Sequence, residues 1–181
     1  MNLKTKGEVV AKVGNSIIKG IEVEEVIKLL NRAYADEWLA YYQYYIEEKV
    51  ITGIMSKSAV TELNEHAQDE LRHADMISNR IMQLGGTPLL NPKEWFTYTN
   101  CGYEEPNSFD VLAILEDAIK GEQCAIKTYS DLAELTKNKD IVTYDLVSQI
   151  LADEVEHEED LQALYDDIND FINDIRKNIK K

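Results

Sequence analysis

The chain has 181 residues, 44% of them apolar, and a net charge of −15. That length suits one domain with a sizeable core. The absence of any run of ~20 apolar residues excludes a membrane-spanning helix, and the acidic balance disfavours nucleic acid and attracts cations.

The charge is uneven: residues 1–20 sum to +3, residues 176–181 to +4, and the body between them to about −22. The basic ends read as solvated tails, with weak DNA contact as the alternative. The N-terminus lacks the apolar run of a signal peptide, so a cytoplasmic location is expected. Two cysteines do not make a disulfide framework. With no linker or low-complexity tract, residues 1–181 read as a single domain: an extension over 1–20, a helical bundle over 22–168 and a C-terminal helical extension over 169–181.

Apolar residues recur at helical spacing in four segments. The first is expected from about Glu22 to Thr52, followed by Gly53 as a stop. The second runs from about Ser58 to Leu84 and ends at Gly85-Gly86 and Pro88. The third starts near Asp110, with Ser108 as N-cap, and reaches about Lys137. The fourth starts near Asp140 and meets no Gly or Pro before the C-terminus. Between the second and third lie roughly 24 residues, while the other connections are short. Short loops join antiparallel neighbours, and a long one must run the length of the bundle. The expected fold is therefore all-α, a ferritin-like four-helix bundle with one long crossover between helices two and three. Trp95, Phe96 and Tyr98 in that crossover are expected to cap the bundle surface or cover a short helix.

The second helix contains Asp69-Glu70-Leu71-Arg72-His73, and the fourth contains Asp153-Glu154-Val155-Glu156-His157. Both read D-E-x-x-H, and residues three apart share a helix face. One such motif is weak evidence in an acidic helical chain; two on different long helices are strong. The other two helices should each supply one inward carboxylate, and spacing selects Glu37 and Glu122. Glu37 to Glu122 is 85 residues and Glu70 to Glu154 is 84; Glu37 to Glu70 is 33 and Glu122 to Glu154 is 32. The chain thus repeats one half-site.

Four carboxylates and two imidazoles suit two borderline-hard divalent metals such as Fe or Mn. Glu70 and Glu154 are placed to bridge, Glu37 and Glu122 to be terminal, and His73 and His157 to cap one metal each. Six such groups would be costly to bury unpaired. Asp69 and Asp153 are expected to hold the histidine of the opposite motif. Tyr44 and Tyr129 each follow a lone Glu by seven residues. Their hydroxyls either bond site carboxylates and pass electrons, or the rings fill the core. His66, four residues before Glu70, is expected to be a partly exposed polar residue, with an auxiliary metal site as the alternative.

Over roughly Glu22 to Ile168, these residues resemble the ferritin-like superfamily with a bacterioferritin-type site inside one subunit. Ordinary Dps proteins build their site between subunits. Leu71 stands where bacterioferritin has its haem-ligand Met, so no haem is expected, and two cysteines cannot form the extra iron domain of rubrerythrin. The likeness is to Dps-like proteins with a bacterioferritin-type site and a cysteine pair, the thioferritins. Cys101, in Asn100-Cys101-Gly102, and Cys124, two residues past Glu122, look like that pair. Read alone they are two unrelated buried thiols; the resemblance implies a proximal pair, either pinning the crossover or redox-active.

The resemblance further implies a hollow twelve-subunit cage with two Fe per subunit, oxidising Fe²⁺ with hydrogen peroxide and storing the mineral. The alternatives are a di-manganese catalase and a DNA-protecting cage with an incidental metal centre. An oxygenase lacks any indicated organic-substrate pocket.

Overall fold

The computed structural model describes residues 13–179. The basic residues before and after that range, including most of the N-terminal extension, lie outside the described residues. The helices are α1 (Val23–Val50), α2 (Ser56–Leu84), α3 (Trp95–Tyr98), α4 (Val111–Thr136) and α5 (Ile141–Ile179). The four long ones match the four apolar-periodic segments, and α5 carries the C-terminal helical extension. None of the described helices is long and apolar enough to cross a membrane.

The core falls into two apolar clusters. One contains Leu63, Ile114, Leu115, Leu161 and Ile168. The other contains Leu30, Ile77, Ile81, Leu132, Val147 and Ile150. Along α1 the second cluster precedes Glu37, and Tyr44 of the first follows it; along α2 and α4 the order reverses; along α5 it reverses again. The long helices therefore alternate in direction within each hairpin, α1 running with α5 and α2 with α4. The segment from Gly85 to Asp110 must travel from one end of the bundle to the other, as ferritin-like connectivity requires. The polar residues of the D-E-x-x-H motifs lie in the layer between the two clusters.

Local chemistry fixes the ends of the helices. Gly85 closes α2 in the left-handed region (φ 92°), and Gly86 N–H returns to Ile81 O at 2.9 Å. At Gly86 a Cβ would lie 2.7 Å from Ile27 Cγ2, so only glycine lets the chain leave α2 so close to α1. The N-cap of α4 is Asp110, whose side chain accepts from Leu112 N. This corrects the expectation of Ser108, whose hydroxyl instead accepts from Asp110 N. Either residue type can cap, and the carboxylate one residue before the first helical position is the one in reach. The Asp140 carboxylate accepts from Thr143 N and Thr143 Oγ1 and forms a two-oxygen pair with Arg80 Nη2 at 2.8 and 2.9 Å, tying the start of α5 to α2.

The crossover is anchored along α1. Asn31 accepts from Leu89 N and donates to Thr87 O. Trp38 stacks on Trp95 with centroids 5.1 Å apart, so the aromatic segment forms the short helix α3 and lies against α1. Asp36 accepts from the Thr99 hydroxyl, from Asn100 N at 2.7 Å and from Cys101 N at 3.0 Å. At the far end, Thr52 N–H to Phe109 O and Val111 N–H to Thr52 O close a single parallel bridge.

Candidate metal centre

All four long helices deliver a side chain to the middle layer. Glu37 comes from α1, Glu70 and His73 from α2, Glu122 from α4, and Glu154 and His157 from α5. All six are at most 5% exposed. They gather into two quartets: Glu37, Glu70, His73 and Glu154, then Glu70, Glu122, Glu154 and His157. Within each, one ligand atom per residue lies within 4.8 Å of the others. Glu70 and Glu154 belong to both.

The histidines divide their two nitrogens between the inside and the outside of the centre. His73 Nδ1 faces Glu154 Oε1 at 3.2 Å and Glu37 Oε2 at 3.3 Å, while its Nε2 meets Asp153 Oδ2 at 3.1 Å. His157 Nδ1 faces Glu154 Oε2 at 3.4 Å and Glu122 Oε1 at 3.7 Å, while its Nε2 points to Asp69 Oδ2 at 3.5 Å. Each Asp thus faces the imidazole of the opposite motif and orients its inner nitrogen. Arg72 Nη2 ties the two together, donating to Asp69 Oδ1 at 2.8 Å and Asp153 Oδ2 at 2.9 Å. Arg72 stands inside the first D-E-x-x-H motif, but its bond to Asp153 on another helix is not visible in the spacing.

The donor set fits metal ions. Glu37 Oε2, Glu70 Oε1, both Glu154 oxygens, His73 Nδ1 and His157 Nδ1 are buried with no hydrogen-bond partner. A polar layer so arranged is costly without a cation to satisfy it. Burial, reinforced by the charge of Glu154, pushes Glu70 and Glu122 well above the carboxylate range. Glu154 is pushed down to about 2: burial acts against this, but the facing imidazoles of His157 and His73 outweigh it. Burial likewise lowers His73, yet Glu154, Glu37 and Glu70 hold its imidazolium above the ordinary range. Carboxyls so placed favour holding protons, which a bound cation would displace.

The tyrosines reach across the bundle. Tyr44 of α1 donates to Glu122 of α4 and Tyr129 of α4 donates to Glu37 of α1, so each bond joins one hairpin to the other.

His66 departs from expectation. It is 3% exposed, not half-open, and stacks on His157 with ring centroids 4.1 Å apart. Its place one turn before Glu70 puts it on the buried face, and the site's own polarity, not solvent, receives it. Burial, then the charge of His157, pushes it down to about 3.

Cys101 and Cys124 are joined by a disulfide, with Cα atoms 5.7 Å apart. The Asp36 anchor holds the Cys101 backbone beside α1, where Cys124 of α4 meets it. A cavity of about 240 Å³ connects the two levels, walled by the disulfide, Gly121, Glu37, Glu70 and Glu122.

The ferritin-like domain family model matches residues 27–171. The chain is 37% identical over 144 residues to the DNA protection during starvation protein of Pyrococcus furiosus, covering 77% of this chain and 76% of that one. It is 32% identical to a bacterioferritin of Desulfovibrio desulfuricans, covering 74% and 70%. Among solved structures it is similar to the dodecameric thioferritin, a bacterioferritin-related protein, of Bacteroides fragilis, with a TM-score of 0.88 and 41% identity over 91% of this chain and 98% of that one. Dps from Thermosynechococcus elongatus shares the fold at a TM-score of 0.74 with 19% identity, over 84% and 94%.

Proposed function

This chain belongs to the ferritin-like family, and from that premise we propose that it oxidises and stores iron, consuming hydrogen peroxide at a two-metal centre held by Glu37, Glu70, His73, Glu122, Glu154 and His157. The observation that carries this reading is the pair of donor quartets sharing Glu70 and Glu154, with their inward atoms unpartnered.

The substrates are Fe²⁺ and peroxide. Two Fe²⁺ each give one electron, the O–O bond breaks, two protons are taken up, and two Fe³⁺ and two waters result. Delivering both electrons together avoids the one-electron route to hydroxyl radical. The protein's part is positional. Glu70 and Glu154 span the two quartets, Glu37 and Glu122 close opposite ends, and Asp153 and Asp69 aim the Nδ1 atoms of His73 and His157 inward. Four carboxylates balance two divalent ions, and the protons held on Glu70 and Glu122 leave as cations bind. Tyr44 and Tyr129 hold Glu122 and Glu37 in place and absorb stray oxidising equivalents. The disulfide pins the crossover beside the cavity and, when reduced, offers peroxide two further electrons.

The likeness to a dodecameric thioferritin supports a twelve-subunit cage. Leu90, Phe96 and Phe109, all more than half exposed on the single chain, are consistent with burial between subunits. Manganese suits the same donors, and a di-manganese catalase is the competing chemistry. A net charge of −15 disfavours DNA as a main partner, and no gel shift is expected at physiological salt. Metal analysis of natively purified protein tests the reading: about two Fe per subunit, lost on Glu70→Ala/Glu154→Ala, is expected, and a metal-free or manganese-only protein contradicts it.

A further inference from the structure

The dinuclear centre does not use His66. That residue is 97% removed from solvent, comes from α2, and has an Nδ1 with no hydrogen-bond partner. Nδ1 lies 4.0 Å from Glu122 Oε1, on the side of the centre. The other nitrogen, Nε2, faces Glu62 Oε1 at 3.5 Å. Glu62, His66 and Asp160 form their own compact group, with one ligand atom from each within 4.8 Å of the others. His66 also groups with Glu122 and His157 on its inner side, so it stands between two clusters and belongs to both.

The outer cluster opens into a cavity of about 170 Å³ between α2 and α5. Its wall includes Glu62, Asp160, Glu65 and Glu156, together with Asp69 and Asp153, the carboxylates that orient the site histidines. Six carboxylates and two imidazoles around so small a space make a strongly cation-attracting funnel. The carboxyl of Glu62 is pushed up by burial first and then by Asp160 and Glu65, as expected of like charges crowded together. The opposite cavity, beside the disulfide, is a separate opening that reaches the centre between α1 and α4. The centre therefore has two mouths, one passing the disulfide and one passing His66.

We propose that Glu62, His66 and Asp160 form a third divalent-cation site, a transfer position between the acidic cavity and the dinuclear centre. One imidazole and two carboxylates suit Fe²⁺, Mn²⁺, Co²⁺ or Zn²⁺. Three protein donors leave coordination positions to water, so the ion exchanges readily. The stacking of His66 on His157 fixes the ring so that one edge faces the cavity and the other faces Glu122, which places the outer ion beside the centre without sharing any of its six residues. Binding at this site requires only its own three donors, while its place as a transfer position rests on the dinuclear reading.

The test is anomalous diffraction from crystals of the full-length protein soaked in Co²⁺, paired with a Co²⁺ titration in solution. The variant is Glu62→Gln/Asp160→Asn, which keeps side-chain shape and touches none of the six centre residues. A peak among Glu62, His66 and Asp160 in the unmodified protein, absent from the variant, with one Co²⁺ per subunit lost from the titration, is the expected result. No peak there in the unmodified protein, or an unchanged stoichiometry in the variant, overturns the proposal. Peaks missing only between Glu70 and Glu154 count against the dinuclear reading and leave this one standing. A His66→Ala protein that keeps its helical circular dichroism should lose the same single ion, and keeping it equally overturns the proposal.

Discussion

The Tyr44 hydroxyl donates its hydrogen bond to Glu122, across the bundle, and not to Glu37 on its own helix. Tyr129 mirrors it on Glu37. Burial first, then the charge of the bonded glutamate, pushes both phenols well above their ordinary range, so they remain donors at any physiological pH. Each lone glutamate is thereby fixed by a ring from the other half of the chain. Replacing either tyrosine by Phe removes a buried hydrogen bond and leaves a glutamate oxygen without its donor, which should cost about 1–3 kcal/mol, read from denaturant midpoints of the metal-free protein. The double Tyr44→Phe/Tyr129→Phe protein should also release more spin-trapped hydroxyl radical while oxidising Fe²⁺ with peroxide. An unchanged yield rules out the protective role.

The Arg80–Asp140 pair is almost wholly buried and is completed by Thr143. Removing one partner of such a pair leaves the other charged and unpaired. Arg80→Ala should therefore destabilise the chain by about 3–5 kcal/mol. Arg80→Met/Asp140→Asn should recover most of that loss, because no charge remains to be desolvated and the Asn oxygen still accepts from Thr143. A double variant as unstable as the single would contradict this.

Glu47 gives stability a pH dependence independent of the centre. It is fully buried, bonded to Gln43, and burial pushes its carboxyl from the ordinary 4.5 up to about 7. The folded state thus holds a proton that the unfolded chain releases. The contribution is complete below about pH 4.5 and is lost as pH rises through about 7, by up to about 3 kcal/mol. Glu47→Gln should flatten that part of the pH–stability curve, and melting temperatures between about pH 5 and 8 measure it. A Gln variant that loses stability as steeply as the unmodified protein over that window would refute the assignment.

The disulfide closes a loop of 23 residues, which by loop-closure entropy is worth about 3 kcal/mol to the folded state. Cys101→Ser/Cys124→Ser should lose about that much stability. In the metal-free state, the reduced protein should consume about one peroxide per subunit and the double-Ser protein none. Equal consumption by both would leave the pair with a purely structural role.

The parts legible in the sequence are those with local signals. The four helices, the long crossover and the repeated D-E-x-x-H motif depend on spacing within one helix or one hairpin, and the residues they single out, Glu37 to His157, do meet in one layer. What escaped depends on partners distant in sequence. Asp36 stands beside Glu37 but is defined by the backbone of residues 100 and 101. Arg80 and Asp140 meet 60 residues apart, and Arg72 matters because Asp153 comes back to it from α5. The polarity of His66 suggests exposure, but its spacing of four from Glu70 puts it on the buried face. The tyrosines' register was readable, but which glutamate each would reach follows only from how the two hairpins face one another.

The most direct measurement is the ratio of Fe²⁺ oxidised to hydrogen peroxide consumed under anaerobic conditions by the metal-free protein. Two Fe²⁺ per peroxide, with no oxygen evolved and the activity lost on Glu70→Ala/Glu154→Ala, is the result expected of a centre held by these six residues. Oxygen evolved from peroxide without net Fe²⁺ oxidation, by a manganese-loaded protein, would contradict it.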